Sequence, residues 1–186
     1  MRWFWIDRFE RFVSGVEATA LKNITFAEEP LDYYLPGKPH YPHSLIIEGM
    51  AQTGGLLLSQ LEDFQSRIVL AKVGKAEFFR LVYPGDQLRL HASLQSVQSD
   101  GAIIEGQTFV GDEPQGRFEM AFAILNESYG ESSFFEPVGL MRMLRVLRLF
   151  DVAVNQQGER ISIPQYMLDA ERDEVAAYDL SPLVPD

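Results

Sequence analysis

The longest apolar segment of the chain predicts a helix that is buried on nearly all sides. No proline occurs from His43 to about Glu62, and apolar residues occupy most positions there. A helix on the surface keeps a polar face, so a helix of this composition must be wrapped by other elements. Its apolar part is shorter than the roughly 20 residues that cross a bilayer. We therefore predict no membrane span here, and a membrane is the least expected of the partners that the sequence leaves open.

Strand-like patterns lie on both sides of this helix. Residues 8–25 alternate loosely around Ser14 and Gly15, as two strands joined by a turn would. Turn signals separate four further strand-like segments, near residues 67–81, 87–98, 102–110 and 115–125. One long helix followed by an antiparallel meander predicts an α+β domain in which a curved sheet surrounds the helix.

The composition changes near residue 126, which predicts two parts. We assign residues 1–126 to the α+β domain and residues 127–186 to a C-terminal extension. The extension opens with a polar linker and continues with "VGLMRMLRVLRLF", which predicts an amphipathic helix near 138–150. The acidic tail from Asp169 to Asp186 is expected to be poorly ordered.

The amphipathic helix would carry a narrow stripe of arginines three residues apart, namely Arg142, Arg145 and Arg148. Three roles stay open for it: packing on the domain or on a second subunit, contact with an acidic carrier protein, and binding to a membrane surface. Further basic residues that such a carrier could contact are Lys72, Lys75 and Arg80.

Charge and composition exclude several classes of function. Lys and Arg number 16 against 27 Asp and Glu, a net charge of -11, which is opposite to the basic footprint of a nucleic-acid binder. The chain has no cysteine, so disulfides, thiolate metal sites and cysteine nucleophiles are excluded. The 3 histidines lack supporting carboxylate spacing, and we expect neither a metal nor another cofactor. Charges interrupt the N-terminal "MRWFWIDRFERF", so a signal peptide is not predicted and we expect a cytoplasmic protein.

The stretch "YLPGKPHYPHSLIIEGMAQTGG" resembles the signature of the β-hydroxyacyl-acyl carrier protein dehydratases of FabZ type, His-Phe-Pro-Gly-x-Pro-x-x-Pro-Gly-x-Leu-x-x-Glu-x-Met-Ala-Gln. The segments "WFWIDRFERF", "LKNITFAEEP", "VGKAEFFRLVYPGDQLRLHASL" and "FEMAFAIL" also resemble family segments in the expected order. The likeness spans roughly residues 2–125. It implies a hotdog fold, in which a curved antiparallel sheet wraps a long central helix, and a homodimer or higher oligomer whose subunits join their sheets.

The resemblance also implies a reaction and its residues. In this family a histidine of one subunit and a carboxylate of the other eliminate water from a β-hydroxyacyl thioester carried by acyl carrier protein or coenzyme A. Glu48 holds the carboxylate position and is expected to protonate the leaving hydroxyl. Gln52 lies four residues later on the same helical face and is expected to orient it. Ser44 and Leu45 join Gln52 as substrate-binding candidates, because unpaired N–H groups at a helix start suit an enolate-like oxygen. Gly37 is a further candidate, in the tight loop that precedes the helix.

Two departures from the signature bear on its chemistry. The family histidine lies fourteen residues before the carboxylate, where this chain has Tyr34. A phenol with a pKa near 10 is a poor base but a good hydrogen-bond donor. His43 stands where the family has a glycine, at a helix N-terminus that favours neutral imidazole. Three hypotheses follow: His43 has taken over as the base, it crowds the channel and the reaction is lost, or it is a loop or capping residue.

Three functions remain open from the sequence. The first is a dehydratase, or the reverse hydratase, of acyl thioesters. The second is a hotdog thioesterase in which Glu48 activates water. The third is an acyl-thioester-binding subunit that has lost its base through the Tyr34 substitution. Of the other histidines, His40 is expected at the surface and His91 is expected to be structural.

Overall fold

The computed structural model describes residues 4–28, 31, 37, 39–125 and 136–178. The strands are β1 (Arg8–Val13), β2 (Glu17–Asn23), β3 (Arg67–Phe78), β4 (Gln87–Gln98), β5 (Gly101–Val110), β6 (Glu113–Leu125) and β7 (Ala153–Val154). The helices are α1 (His43–Ser59), α2 (Pro137–Val146), α3 (Leu149–Val152) and α4 (Gln165–Tyr178), and a 3-10 turn (Gln60–Glu62) continues α1. None of the helices within the described ranges has the length and hydropathy that crossing a bilayer requires.

The strands form one sheet in the order β3-β6-β5-β4-β2-β1-β7. The pairings are antiparallel except for β7, which runs parallel to β1. Helix α1 packs against β2, β3, β4, β5 and β6, so the sheet wraps it. The predicted α+β arrangement of one long helix and an antiparallel meander is confirmed.

Small residues let α1 approach the sheet closely. A Cβ atom at Gly54 would lie 3.0 Å from Cδ1 of Ile104, and one at Gly49 would lie 3.0 Å from the carbonyl oxygen of Trp5. Both distances are shorter than ordinary contacts, so a larger side chain would push the helix outward. The two glycines therefore set how deeply α1 sits in the sheet, and with it the position of every side chain that α1 carries.

The C-terminal extension folds against the rest of the chain. Helix α2 begins with Pro137, and the Glu136 side chain accepts a hydrogen bond from the Gly139 N–H at 3.2 Å. It ends at Val146, because Arg148 adopts a left-handed conformation with φ 56° before α3 starts. The segment predicted as one helix near 138–150 is thus α2, a break and α3.

Salt bridges between side chains join helix α4 to helix α2. Arg145 forms a bidentate pair with Glu171, at 2.7 and 3.0 Å, and Arg142 contacts Glu174 at 3.1 Å. The hydrogen bond from Arg145 holds the pKa of the Glu171 carboxyl below its ordinary value. The expectation that the tail is poorly ordered from residue 169 is wrong as far as residue 178, because that stretch belongs to a helix that packs against α2 and carries these ion pairs. Residues 179–186 lie outside the described residues.

These contacts also bear on the arginine stripe. Arg148 contacts Asp151 at 2.9 Å, so each arginine of the stripe faces a carboxylate of this chain. Of the three roles that the sequence left open, packing within the molecule is the one that the structure supports.

The two edges of the sheet differ in what covers them. At one edge the C-terminal extension accepts hydrogen bonds from backbone N–H groups in β1 and directly after it. The Phe9 N–H donates to the Leu147 carbonyl at 2.7 Å, and the Ser14 N–H donates to the Val154 carbonyl at 2.9 Å. At the other edge β3, 12 residues long, pairs only with β6 among the described strands. Its Leu70 and Val73 are both 36 % exposed. The long exposed edge of the molecule is therefore β3.

Candidate active site

Two consecutive hydrogen bonds hold the Glu48 carboxyl in place. Gln52, one turn later on α1, donates from Nε2 to Oε1 of Glu48 at 3.0 Å. The Gln52 Oε1 atom accepts the backbone N–H of Trp5 at 2.9 Å. Because the amide oxygen binds a donor, its NH₂ group is directed to the carboxyl. The structure thus brings Glu48 and Gln52 together as the spacing predicted, and it adds Trp5, 47 residues away from Gln52.

Glu48 and Gln52 face a mostly apolar cavity of about 580 Å³. This volume is within the range of small-molecule sites in proteins. The cavity is lined by α1, by the start of β3 and by the C-terminal helices, and its residues include Phe4, Ala51, Gly55, Leu56, Ser59, Phe64, Ile68, Val69, Leu70, Phe122, Pro137, Leu140, Met143 and Tyr166. A carboxyl group at an apolar wall can act on a polar atom of a ligand whose remainder is hydrocarbon.

His43 is the first residue of α1 and packs differently. Its ring stacks on Phe78 of β3, with centroids 3.9 Å apart and planes 3° from parallel. Its Nε2 atom is buried and has no hydrogen-bond partner among the described residues. Burial, and secondarily the charge of His40, lowers the His43 pKa below its ordinary value. His43 is therefore neutral at pH 7, the form in which imidazole can accept a proton.

Within one chain His43 and Glu48 do not form a site. They lie five residues apart on α1, a rotation of about 140° around the helix, and His43 does not line the cavity that Glu48 faces. Any reaction that uses both groups on one substrate needs them to come from different chains, or needs the loop before α1 to move.

The remaining candidates divide between the first turn of α1 and the preceding loop. Ser44 is exposed and Leu45 is half-buried. The Leu45 N–H donates to the Pro42 carbonyl at 3.0 Å, while among the described residues no backbone acceptor takes the N–H of Ser44. Ser44 rather than Leu45 thus offers an open backbone donor. Tyr34 lies outside the described residues.

His40 lies inside the molecule, and the expectation of a surface position is wrong. It is 9 % exposed, and its ring centroid is 6.2 Å from that of His43. The reason is the anchoring of the loop next to it, where the Tyr41 N–H donates to the Val82 carbonyl at 2.7 Å and the Tyr41 ring is 1 % exposed. His40 and Gly37 line a second, open hollow that is separate from the Glu48 cavity.

A long helix wrapped by an antiparallel sheet is the hotdog fold, so the fold predicted from the resemblance is confirmed. The Glu48 carboxyl at the apolar cavity is the candidate active site of this fold. A FabA-like domain matches residues 4–114. This match covers more than half of the chain, which therefore belongs to the FabA-like family.

Known relatives agree with this assignment, and solved structures agree with the fold. Over 120 residues the chain is 35% identical to a 3-hydroxyacyl-[acyl-carrier-protein] dehydratase FabZ of Pelotomaculum thermopropionicum, covering 64% of this chain and 86% of the relative. The dehydratase heterocomplex ApeI:P from Xenorhabdus doucetiae shares the fold with a TM-score of 0.56 and 14% identity, over 75% of this chain and 88% of that one. A hypothetical thioesterase protein with coenzyme A from Streptococcus pneumoniae TIGR4 has a TM-score of 0.55 and 10% identity, over 67% and 89%.

Sequence reasoning missed part of the site. The backbone contact of Trp5 could not be found, because no pattern links residues so far apart in the chain. The C-terminal residues of the cavity wall, Pro137, Leu140, Met143 and Tyr166, were missed for a different reason. Pro137, Leu140 and Met143 alternate with the arginines on an amphipathic segment, and that periodicity indicates a buried face without telling what it covers. Tyr166 lies on α4, in a stretch for which the sequence predicted no contact with the domain.

Proposed function

We propose that this chain is a hydro-lyase that removes water from a 3-hydroxyacyl thioester and, in the reverse direction, hydrates a 2-enoyl thioester. The observation that carries the proposal is the Glu48 carboxyl, fixed by Gln52 at 3.0 Å and facing an apolar cavity. Relatives that are 3-hydroxyacyl-[acyl-carrier-protein] dehydratases support it. A cytoplasmic location stays a prediction from the sequence.

The elimination needs two proton transfers. A base removes the proton from C2, the electron pair of that C–H bond forms the C2–C3 double bond, and the C3–O bond breaks. Glu48 in its acid form gives its proton to the departing hydroxyl, which leaves as water. The base then returns its proton to Glu48 through solvent. The negative charge that develops on the thioester oxygen is stabilised by the open N–H donor of Ser44 at the positive end of α1.

We assign the base to His43 of a second copy. A two-fold axis near the middle of β3 would pair this edge strand with itself in antiparallel fashion, so the end of one strand lies beside the start of the other. Phe78, on which His43 stacks, is at the end of β3, and Ile68 and Leu70, which line the Glu48 cavity, are at its start. Such a homodimer would bring His43 of one copy toward Glu48 of the other. Because Nε2 is buried, Nδ1 is the nitrogen that would meet the substrate.

An acyl-thioester-binding subunit without dehydratase activity is the second candidate. It is favoured by the burial of Nε2 of His43 and by Tyr34, which replaces the histidine of the FabZ signature. In this case the cavity holds an acyl group and Glu48 contacts it without proton transfer. A hotdog thioesterase differs from both, because it would release a free thiol.

Hydration of crotonyl-coenzyme A by the purified chain tests these functions, with loss of the conjugated thioester and release of free thiol followed in parallel. We expect hydration without thiol release, abolished in Glu48→Gln. Binding of the thioester without either reaction would overturn the hydro-lyase and favour the binding subunit. Thiol release would favour the thioesterase. In the binding-subunit case Tyr34→His should create activity, since it restores the histidine of the signature.

The identity of the carrier belongs to the same proposal. The basic residues expected to contact an acidic carrier are mostly paired within the chain: Arg80 with Glu113 at 2.7 Å, and Lys75 with Glu77 at 2.9 Å. Coenzyme A carries phosphate groups and is anionic as well, so this pairing does not distinguish the two carriers. The relatives are 3-hydroxyacyl-[acyl-carrier-protein] dehydratases, which makes the protein carrier the first one to test. Hydration of the crotonyl group on acyl carrier protein and on coenzyme A, at equal concentration, is the matched comparison, and a higher kcat/KM on coenzyme A would reverse the preference.

A further inference from the structure

The Glu48 cavity is partly built by residues that the family match does not include. The FabA-like domain covers residues 4–114, whereas Pro137, Leu140 and Met143 of α2 and Tyr166 of α4 all line the cavity. Leu140 is 6 % exposed and Met143 is half-buried, so both present apolar surface to the interior. The C-terminal extension thus forms a wall of the candidate active site.

The cavity follows the length of α1. The α1 residues that line it begin with Glu48 and end with Ser59. Eleven residues of helix correspond to about 16 Å. The Tyr166 hydroxyl donates to the Asp63 carbonyl at 2.9 Å, just beyond the end of α1. Tyr166 therefore lies at the end of the cavity that is remote from Glu48.

The wall is fixed in place. Pro137, Leu140 and Met143 recur every three residues and so occupy one face of α2. On the opposite side α2 is tied to α4 by the pairs Arg145–Glu171 and Arg142–Glu174. Where α2 ends, the Leu147 carbonyl accepts the Phe9 N–H of the sheet. A wall held from two sides can limit the size of a ligand, since it does not yield to a longer one.

We propose that the C-terminal extension determines the acyl-chain length that this enzyme accepts, with Met143 narrowing the cavity along its side and Tyr166 closing its far end. The thioester lies at Glu48 and the hydrocarbon runs along α1 toward Tyr166. This assignment rests on the proposed function, because it takes the occupant of the cavity to be the acyl group of a thioester.

The test is a binding series. Dissociation constants of saturated acyl-coenzyme A thioesters, from butanoyl to tetradecanoyl, are measured by calorimetry for the wild type and for Met143→Trp and Tyr166→Ala. Each methylene that gains or loses a buried position changes binding by about fourfold. We expect Met143→Trp to shift the best-bound thioester to a shorter chain, and Tyr166→Ala to shift it to a longer one.

Two matched variants control for effects that are not steric. Val146→Trp puts the same bulky residue on α2 at a position that is 74% exposed, and it should leave the length profile unchanged. Tyr166→Phe removes the hydrogen bond to Asp63 but keeps the ring, and it should also keep the profile. Thermal melts of all variants report whether the fold is retained. If Met143→Trp does not fold, Met143→Ala replaces it, and because this change widens the cavity, the best-bound thioester should then become longer.

The outcomes separate this inference from the proposed function. If the wild type binds no acyl thioester of any length, the proposed function fails and the inference fails with it. If the wild type binds thioesters but Met143→Trp and Tyr166→Ala keep its length profile, only the inference is overturned. If Val146→Trp shifts the profile as much as Met143→Trp does, the effect is not that of the cavity wall and the inference is again overturned.

Discussion

Helix α1 carries two ionisable side chains, and the molecule supports them in opposite ways. Glu48 is fixed by hydrogen bonds, from Gln52 to its carboxyl and from Trp5 to Gln52, and it faces an open cavity. His43 is fixed by a stacked ring, and its Nε2 atom is buried without a partner among the described residues. The chain thus completes the environment of the acid by itself, whereas that of the histidine stays incomplete.

This difference indicates where a second copy would matter. A carboxyl group that is already oriented needs only a substrate, while an unpartnered imidazole has a free hydrogen-bonding capacity that an interface or a ligand can satisfy. The two catalytic roles are therefore supported differently. The role of Glu48 is supported by contacts within the chain, whereas the role of His43 depends on the homodimer proposed through β3.

The largest effect is expected at Glu48. Replacing it by Gln keeps the shape and can keep the contact with Gln52, but the amide can neither protonate the leaving hydroxyl in dehydration nor take the proton of the attacking water in hydration. Hydration of crotonyl-coenzyme A should fall by about 10²–10⁴-fold, while the thermal midpoint stays near that of the wild type. Activity within tenfold of the wild type would remove Glu48 from the reaction.

His43→Phe tests the other side of the comparison. Phenylalanine can keep the stack on Phe78 and removes both ring nitrogens. If His43 is the base, hydration should fall by about 10²-fold or more. The oligomeric state, measured by sedimentation, should stay that of the wild type. Full activity in this variant would show that the imidazole is structural. A second measurement, the activity of mixed dimers of His43→Phe and Glu48→Gln chains, should recover one intact site if the two groups come from different copies.

Gln52 is a positioning residue, and its loss should have an intermediate effect. In Gln52→Leu the Trp5 N–H and the Glu48 carboxyl both lose a partner, so the unfolding free energy should drop by about 1–3 kcal/mol. We expect kcat to fall by roughly tenfold with little change in KM, and the acid limb of the pH–rate profile to move. Gln95→Leu, on exposed β4, is the control for the loss of an amide. An unchanged pH–rate profile would leave Gln52 with a structural role only.

The buried imidazole should also give a dependence of stability on pH. Because burial lowers the His43 pKa in the folded state, the unfolded chain binds the proton more readily. The corresponding stability is present above the unfolded pKa, about 6.5, and is lost as pH falls toward the lower folded value. Urea unfolding at pH 7.5 and pH 5.5 should therefore show a smaller pH effect in His43→Phe than in the wild type. An equal pH effect in both would assign it to other groups.

The smallest effect is expected from the ion pairs behind the cavity wall. Arg145→Ala removes the bidentate contact with Glu171, but the two side chains are 41% and 27% exposed, and solvent-accessible pairs add little. The thermal midpoint should fall slightly, and crotonyl hydration should stay unchanged, because Arg145 does not line the cavity. Arg172→Ala, which removes an exposed pair within α4, is the control. A large loss of crotonyl hydration would mean that α2 also positions Glu48.

The fold was accessible from sequence because its determinants are local. The apolar run of α1, the alternation in the strands and the turn signals between them all act over a few residues. The contact between Glu48 and Gln52 followed from helical spacing in the same way, whereas the choice of Glu48 as the site carboxylate came from the resemblance to the FabZ signature. The division of the chain near residue 126 stays a prediction, since residues 126–135 lie outside the described residues.

The errors and gaps arose where distant residues decide the outcome. The stretch from Asp169 to Tyr178 has an acidic composition that favours disorder, but it belongs to a helix that packs against α2, where its carboxylates meet arginines about thirty residues earlier. His40 looked exposed in a polar, proline-rich loop, but the loop is bound at Tyr41 to Val82. The stack of His43 on Phe78 depends on a strand that follows the helix, so no local pattern contains it.

The extension's hold on β1 has a consequence for how copies of the chain can associate. The carbonyl groups of Leu147 and Val154 accept N–H groups at that edge. Among the described strands, this leaves β3 at the opposite edge as the long strand with which a further strand could pair. A sheet with two such edges can add subunits indefinitely, whereas one with a single edge closes after two. Besides lining the cavity, the C-terminal extension therefore covers one edge of the sheet, and copies that associated edge to edge through β3 would form a closed pair rather than a growing chain of subunits.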